Sequence, residues 1–158
     1  MSDHIENKSK ISSILRKLPV FAGLYPDEYE HIRNICVPTM VADGETVFVE
    51  GDSSACMHVL LSGAIQLRTA DQGLIHTLKP GDPFGEIGFI SQQKRTATAI
   101  ASAPSAILKI SSEAFQLLLG RQPRICFIIM RNITLNLSNH IVRMNKTDSL
   151  DYLPPEAP

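Results

Sequence analysis

A chain of 158 residues is the length of one domain and is able to bury roughly two thirds of the surface its unfolded form exposes, so one real core is expected. Its 44% hydrophobic and 20% charged residues are ordinary globular usage and exclude wholesale disorder, while a formal net charge of -1 excludes the broad positive field of a domain that itself holds nucleic acid. Apolar runs such as Ile125 to Met130 fall far short of the roughly 20 residues of a spanning helix, and the polar stretch Met1 to Lys10 is no export signal, which points to a cytoplasmic chain with no membrane partner.

From Ile11 to Cys36 the apolar residues recur at helical spacing. Ile11, Ile14, Leu15 and Leu18 share one side of a first helix, Pro19 bounds it, and Asp27 to Ile35 forms a second short helix. Residues 1–36 therefore read as a helical lead-in.

Between Val37 and Ile110 the pattern changes to short β-prone runs: Thr46 to Val49, Met57 to Leu61, Ala64 to Thr69, Leu74 to Leu78, Thr96 to Ala101 and Ala106 to Ile110. Turn residues separate them, among them Asp43-Gly44, Gly51-Asp52, Ser62-Gly63, Gly73 and Pro80-Gly81. Such spacing leaves no room for crossover helices, so the fold class is mainly β with flanking helices. Its centre, residues 37–110, is an antiparallel β-roll of about eight short strands, a jelly roll or double-stranded β-helix. The alternation in Ala64 to Arg68 places Ile65 and Leu67 inward.

Beyond Ile110 the period is helical again, over residues 111–147. Ser111 or Ser112 caps a helix that runs through Leu119, with Glu113 in its first turn and Gly120 at its end. A longer helix starts near Pro123 and reaches about Lys146. Its stripe of Cys126, Met130, Ile133, Leu137, Ile141 and Met144, widened by Ile125, Ile128, Ile129 and Leu135, needs cover on two sides, from the roll and from a second copy of the chain. Packing on its own β domain alone is the simpler alternative. Residues 148–158, ending in Pro154-Pro155-Glu156-Ala157-Pro158, read as a loose tail.

The chemistry is concentrated in Pro80-Gly81-Asp82-Pro83-Phe84-Gly85-Glu86-Ile87-Gly88-Phe89-Ile90, the polar Ser91 to Lys94, and Arg95-Thr96-Ala97-Thr98-Ala99. Two glycines flanking Glu86-Ile87 permit close backbone approach, and small residues after Arg95 leave space beside a strand. Backbone N–H groups and one guanidinium around such a space are what a phosphate requires. A carboxylate repels an anion, so Glu86 in the same site must face a hydrogen-bond donor such as a sugar hydroxyl, and the pair suits a ribose monophosphate. From the residues alone, Arg95 and Glu86 would equally serve as a surface ion pair.

The run Phe84-Gly85-Glu86-Ile87-Gly88-Phe89 followed by Arg95-Thr96-Ala97 resembles the phosphate-binding cassette of the cyclic nucleotide-binding domain family, to which the catabolite activator protein and the regulatory subunits of cyclic-AMP-dependent kinase belong. Gly51-Asp52, Gly63 and Leu18 to Leu24 are similar to the family's turn before the third strand, the glycine opening the next strand and the lead-in. Lys94 and Gly88 stand where many members have proline and alanine, and neither replaces a ligand-contacting side chain. The resemblance implies that Arg95 pairs with the exocyclic phosphate oxygens and that Glu86 accepts from the ribose 2'-OH. It further implies that Phe84, Gly85, Ile87 and Gly88 line the sugar phosphate and that the Thr96 and Ala97 N–H groups close the other side. Residues of the last helix, here Phe127, Met130, Arg131 or Thr134, would contact the base. The implied ligand is cyclic AMP, or cyclic GMP if the Thr96 hydroxyl meets a guanine amino group.

Other classes find less support. Cys36, Cys56 and Cys126 are far apart and read as reduced, mostly buried small hydrophobes. His4, His31, His58, His76 and His140 have no paired spacing for a metal, no nucleophile elbow occurs, and His58 in an apolar strand reads as structural. Asn132-Ile133-Thr134 and Asn136-Leu137-Ser138 match glycosylation acceptors by pattern only. The expectation is a non-catalytic sensor with no cofactor, which passes ligand binding through its last helices to an effector protein or a dimer mate. It is a free-standing sensor or a fragment of a larger regulator. A ligand-free interaction module and a cupin-like enzyme are the competing readings.

Overall fold

Short strands punctuated by glycine and proline turns pair into two four-stranded antiparallel sheets, with the helices gathered against the outside of one of them. The structure, a computed structural model, describes residues 10–150. Helix α1 covers residues 10–15, a 3-10 turn spans Pro19–Phe21 and α2 spans Glu28–Ile35. The strands are β1 (Cys36–Val41), β2 (Thr46–Phe48), β3 (Cys56–Ser62), β4 (Ile65–Thr69), β5 (Gly73–Leu78), β6 (Pro83–Phe84), β7 (Thr98–Ala101) and β8 (Ser105–Ser111). Helix α3 (Glu86–Ser91) interrupts them, and α4 (Ser112–Arg121) and α5 (Pro123–Leu150) follow.

One sheet has the order β1-β8-β3-β6 and the other β2-β7-β4-β5. The expected eight-stranded roll is present, with two strands that the pattern did not announce. In β1 the four residues between Cys36 and Val41 are all exposed, so alternation is lost, and Pro38 is tolerated because β1 is an edge strand. Strand β6 is two residues long on the opposite edge. Strand β7 begins at Thr98, later than the expected Thr96.

Strand β3 explains how two cores coexist, because Met57 to Leu60 are all buried. Met57 and Val59 face the helical layer, where they meet Phe21, Ile32, Ile125 and Ile129. Leu60 faces the roll interior with Ile65, Leu78, Phe84 and Ile107. Full burial of each such side chain is worth about 1.5–3 kcal/mol. Ile65 is fully buried and Leu67 packs partly buried on the same interior, as their alternation predicts.

The Ser111 hydroxyl caps α4 by accepting from the Ala114 N–H at 3.1 Å. Gly120 does not end that helix, which runs on to Arg121. Ile14 is also misplaced by its spacing, being 44% exposed while Leu15 and Leu18 are buried.

The first half of α5 packs against the lead-in and α4, burying Ile125, Cys126, Ile128, Ile129 and Ile133. Polar ties secure it there. Arg124 pairs with the Glu28 carboxylate and lies 3.9 Å above the Tyr25 ring, and the Asn132 amide donates to the Val20 and Ala22 carbonyls at 3.0 and 2.9 Å. Asn132 is thus a structural tie. Burial alone would raise the Glu28 carboxyl, but Arg124 and the Tyr25 N–H outweigh it and hold it below the ordinary carboxylate value. Of the expected stripe, Leu135, Ile141 and Met144 lie exposed, so one layer of cover serves the helix's first half only. The helix continues past Lys146 to Leu150, and residues 151–158 of the expected tail lie outside the described residues. Between Pro123 and Lys146 it is long and apolar enough by composition to cross a membrane, a feature the short apolar runs had concealed.

Candidate functional site

Pairing of Pro83 and Phe84 with Val59 and His58 carries the chain into the roll, where Phe84 is buried. Gly85 then takes the left-handed conformation, φ 70, and turns the backbone out of the strand into α3. This short helix, absent from the expected elements, presents Glu86, Ile87 and Gly88 at its start. Gln92, also left-handed at φ 55, ends it. The returning chain ahead of β7 is held at Arg95, whose N–H donates to Asp52 O and whose carbonyl accepts from Gly51 N, both at 2.9 Å. The Gly51-Asp52 turn therefore fixes the residue that carries the guanidinium.

Seven of the eight expected cassette residues border one cavity of about 60 Å³: Gly85, Glu86, Ile87, Gly88, Arg95, Thr96 and Ala97. Phe84 is the exception, and it packs in the roll core behind the cavity. Phe48 of β2 and Leu67 of β4 complete the lining. Alternation already pointed Leu67 inward, whereas nothing local marked Phe48.

Arg95 is only 5% exposed and Glu86 only 8%. Among the described residues no ion pair joins them, so the surface-pair alternative does not hold. Instead the Arg95 guanidinium donates to Gly85 O at 2.8 Å and Cys56 O at 2.6 Å, and lies 4.1 Å from the centre of the Phe48 ring. Its Nε is buried without a partner. Burial pulls the Arg95 pKa below its ordinary value, because a charge out of water without a carboxylate is costly. Burial likewise pushes the Glu86 carboxyl above its usual range, against the pull of its own backbone and of Arg95. The notch combines an under-neutralised cation, a reluctant carboxylate and two close-approach glycines. It suits an anion that also carries a hydroxyl donor.

The base-contact candidates are brought together elsewhere. Phe127, Met130, Arg131 and Thr134 line, with Leu135, an open groove on α5 that shares no residue with the cassette cavity. Phe127 is 65% exposed, Arg131 bonds the neighbouring Asn132, and the Thr134 hydroxyl donates to Met130 O at 2.9 Å. Met130 alone reaches toward the cassette, through a second groove that it borders with Phe89 and Ile90 of α3.

His58 is structural in its packing, stacked 5.1 Å from the Phe84 ring, and burial together with Arg95 and Lys109 lowers its pKa to about 4. His76 and His140, far apart in sequence, meet at 5.2 Å between β5 and α5. Among the described residues no group of three or more His, Cys, Asp or Glu is placed to hold a metal ion. Cys36 and Cys126 are buried as expected, whereas Cys56 is only half-buried.

The sequence profile of the cyclic nucleotide-binding domain family matches residues 38–122, more than half of the chain and all of the cassette. The chain is 26% identical over 116 residues to a cAMP-dependent protein kinase regulatory subunit of Yarrowia lipolytica, covering 73% of this chain and 31% of that protein. It is 29% identical over 109 residues to the cyclic AMP receptor protein of Thermus thermophilus, covering 66% of this chain and 50% of that protein. It therefore spans half or less of these relatives. The fold is similar to a crystal structure of a cyclic nucleotide-binding domain from Methylobacillus flagellatus, with a TM-score of 0.75 at 19% identity over 97% of this chain and 88% of that one.

Proposed function

The chain belongs to the cyclic nucleotide-binding domain family, and from that premise we propose that its cassette binds cyclic AMP, with Arg95 on the phosphate and Glu86 on the ribose 2'-OH. Its role is that of a sensor and not a catalyst. The observation that carries the ligand assignment is the pair of buried, mutually unpaired charges on one cavity. An anion reaching Arg95 would replace carbonyl contacts with a charge-assisted pair, which recovers part of the guanidinium's desolvation cost. Gly85, Ile87 and Gly88 would supply backbone around the sugar phosphate, and the Thr96 and Ala97 N–H groups the far side.

The cassette cavity is partly open to solvent, and none of the base-contact candidates lines it, so it would take the sugar phosphate and leave the base outside. The base would find its cover only if α5 shifts to bring Phe127, Met130, Arg131 or Thr134 over it, and that shift is the signal we assign to the C-terminal helices. We assign the roll of residues 37–110 to binding and the helices of residues 111–147 to relay, in a cytoplasmic chain whose α5 meets a second copy or an effector protein. Cyclic GMP is the second reading, favoured by the exposed Thr96 at the cavity edge.

Calorimetric titration with cyclic AMP and cyclic GMP, on the native chain and on Arg95→Ala, tests the proposal. We expect the substitution to cost about 2–4 kcal/mol, roughly 30-fold to 1,000-fold in affinity. No heat with either nucleotide, in a chain whose melting is unchanged from pH 7 controls, would leave an interaction module as the better account.

A further inference from the structure

Alternation along β3 sends Cys56 and His58 to the same face, the one that holds Phe48, Phe84 and the Arg95 guanidinium. The Cys56 sulfur lies 3.6 Å from Arg95 Nη2 and 3.8 Å from His58 Nε2. His58 is 4% exposed with Nδ1 unpartnered, and Arg95 is 5% exposed with Nε unpartnered. A neutral imidazole whose Nδ1 carries the proton presents an acceptor at Nε2 to the thiol hydrogen, while the guanidinium faces the sulfur with a fixed positive charge. The other two thiols have no such company. Cys36 and Cys126 are buried in apolar surroundings that raise their pKa values to about 12 and about 11, and both are held as thiols at neutral pH. Cys56 alone is half-buried, and it stands at the edge of the cassette whose Arg95 its own carbonyl also holds.

We propose that Cys56 is a peroxide-reactive thiol whose oxidised form captures the Arg95 guanidinium and withdraws it from the ligand phosphate, the second half resting on the nucleotide reading above. The sulfur attacks one oxygen of hydrogen peroxide and the O–O bond breaks. Sulfur is oxidised by two electrons to Cys56–SOH, and the departing hydroxide takes the thiol proton and leaves as water. The new oxygen extends from the sulfur toward Nη2, where it accepts from the guanidinium a charge-assisted hydrogen bond that a phosphate oxygen would otherwise accept. Because both acceptors compete for one guanidinium, the coupling is reciprocal: oxidation weakens nucleotide binding, and bound nucleotide draws Arg95 off the sulfur and slows oxidation.

The test is exposure of the full chain to graded hydrogen peroxide, trapping of sulfenic acid with dimedone and peptide mass spectrometry, with and without saturating cyclic AMP. The expected result is labelling of Cys56 at least about tenfold faster than of Cys36 or Cys126, slowed by nucleotide. The oxidised chain should bind cyclic AMP at least about tenfold more weakly than the reduced chain, with recovery after dithiothreitol, and Cys56→Ser should bind equally before and after peroxide. Labelling of Cys56 no faster than of the buried pair, or unchanged affinity after its oxidation, overturns the proposal. If the reduced chain binds neither cyclic AMP nor cyclic GMP, the nucleotide reading is what fails, and the labelling rates, which need no ligand, still decide whether the thiol is reactive.

Discussion

The ring of Phe89, on the helix inside the cassette, meets the ring of Phe115 on α4 edge-on, with centroids 5.1 Å apart and planes at 70°. Both are nearly buried, and the Phe115 carbonyl accepts from the Cys126 thiol of α5 at 3.8 Å. This is a continuous packed connection from α3 to α5, the helix to which we assign the signal. Phe89→Leu keeps apolar bulk and removes the ring pair, which is worth about 0.5–1.5 kcal/mol beyond area. We expect it to retain nucleotide binding but to blunt the ligand-driven change in α5, read as amide hydrogen exchange with and without cyclic AMP. An undiminished change in α5 would show that the route lies elsewhere.

Gly85 and Gly73 both sit at positive φ, 70° and 71°, but a Cβ on Gly85 would strike Arg95 Nη1 and come within 3.1 Å of the Phe48 ring, whereas one on Gly73 meets nothing within 4 Å. Alanine at Gly73 should therefore cost only the left-handed strain, about 1–2 kcal/mol in urea unfolding. Alanine at Gly85 should cost more, and it should also lower cyclic AMP affinity by at least about tenfold by displacing the guanidinium. Equal effects of the two substitutions would mean that the contact with Arg95 is easily relieved.

His58 refuses a proton in the native chain down to a pKa of about 4, against 6.5 for an unburied histidine. Since the unfolded chain binds the proton first, the native state loses stability as pH falls below about 6.5, and the loss levels off below the folded value, at about 3 kcal/mol in all. His58→Phe would keep the stack on Phe84 and Phe48. Urea midpoints at pH 7, 6, 5 and 4 should therefore fall less steeply for the variant than for the parent, and parallel profiles would count against the assignment.

Leu135, Ile141, Val142 and Met144 project from the second half of α5 with exposures of 56%, 59%, 51% and 61%. Ile141 and Met144 stand three apart and Leu135 and Val142 seven apart, spacings that put each pair on one helix face of the kind a helix pair buries. Sedimentation should show a dimer whose dissociation constant rises when Ile141 is replaced by Glu, because a carboxylate in such a seam is desolvated without a partner. A native chain that stays monomeric at high concentration would assign this face to an effector instead.

The sequence by itself determined what is encoded over short distances. Phe84 to Ala97 shows its chemistry in its residue types and spacing, Gly85 turns the chain just ahead of Glu86, the Ser111 cap lies three residues from the N–H it satisfies, and the period of two in β4 buries Ile65. Only the tertiary structure decided which groups meet those residues from afar. The Phe48 ring and the Cys56 carbonyl reach Arg95 across 47 and 39 residues of chain, and His76 finds His140 across 64. Likewise β1 showed no alternation because only its ends are buried, and α5 showed a full apolar stripe although the fold covers just its first half. Backbone preference and periodicity act over one turn of chain, while a cavity wall, a ring stack or a covered helix face exists only after closure has brought distant segments together.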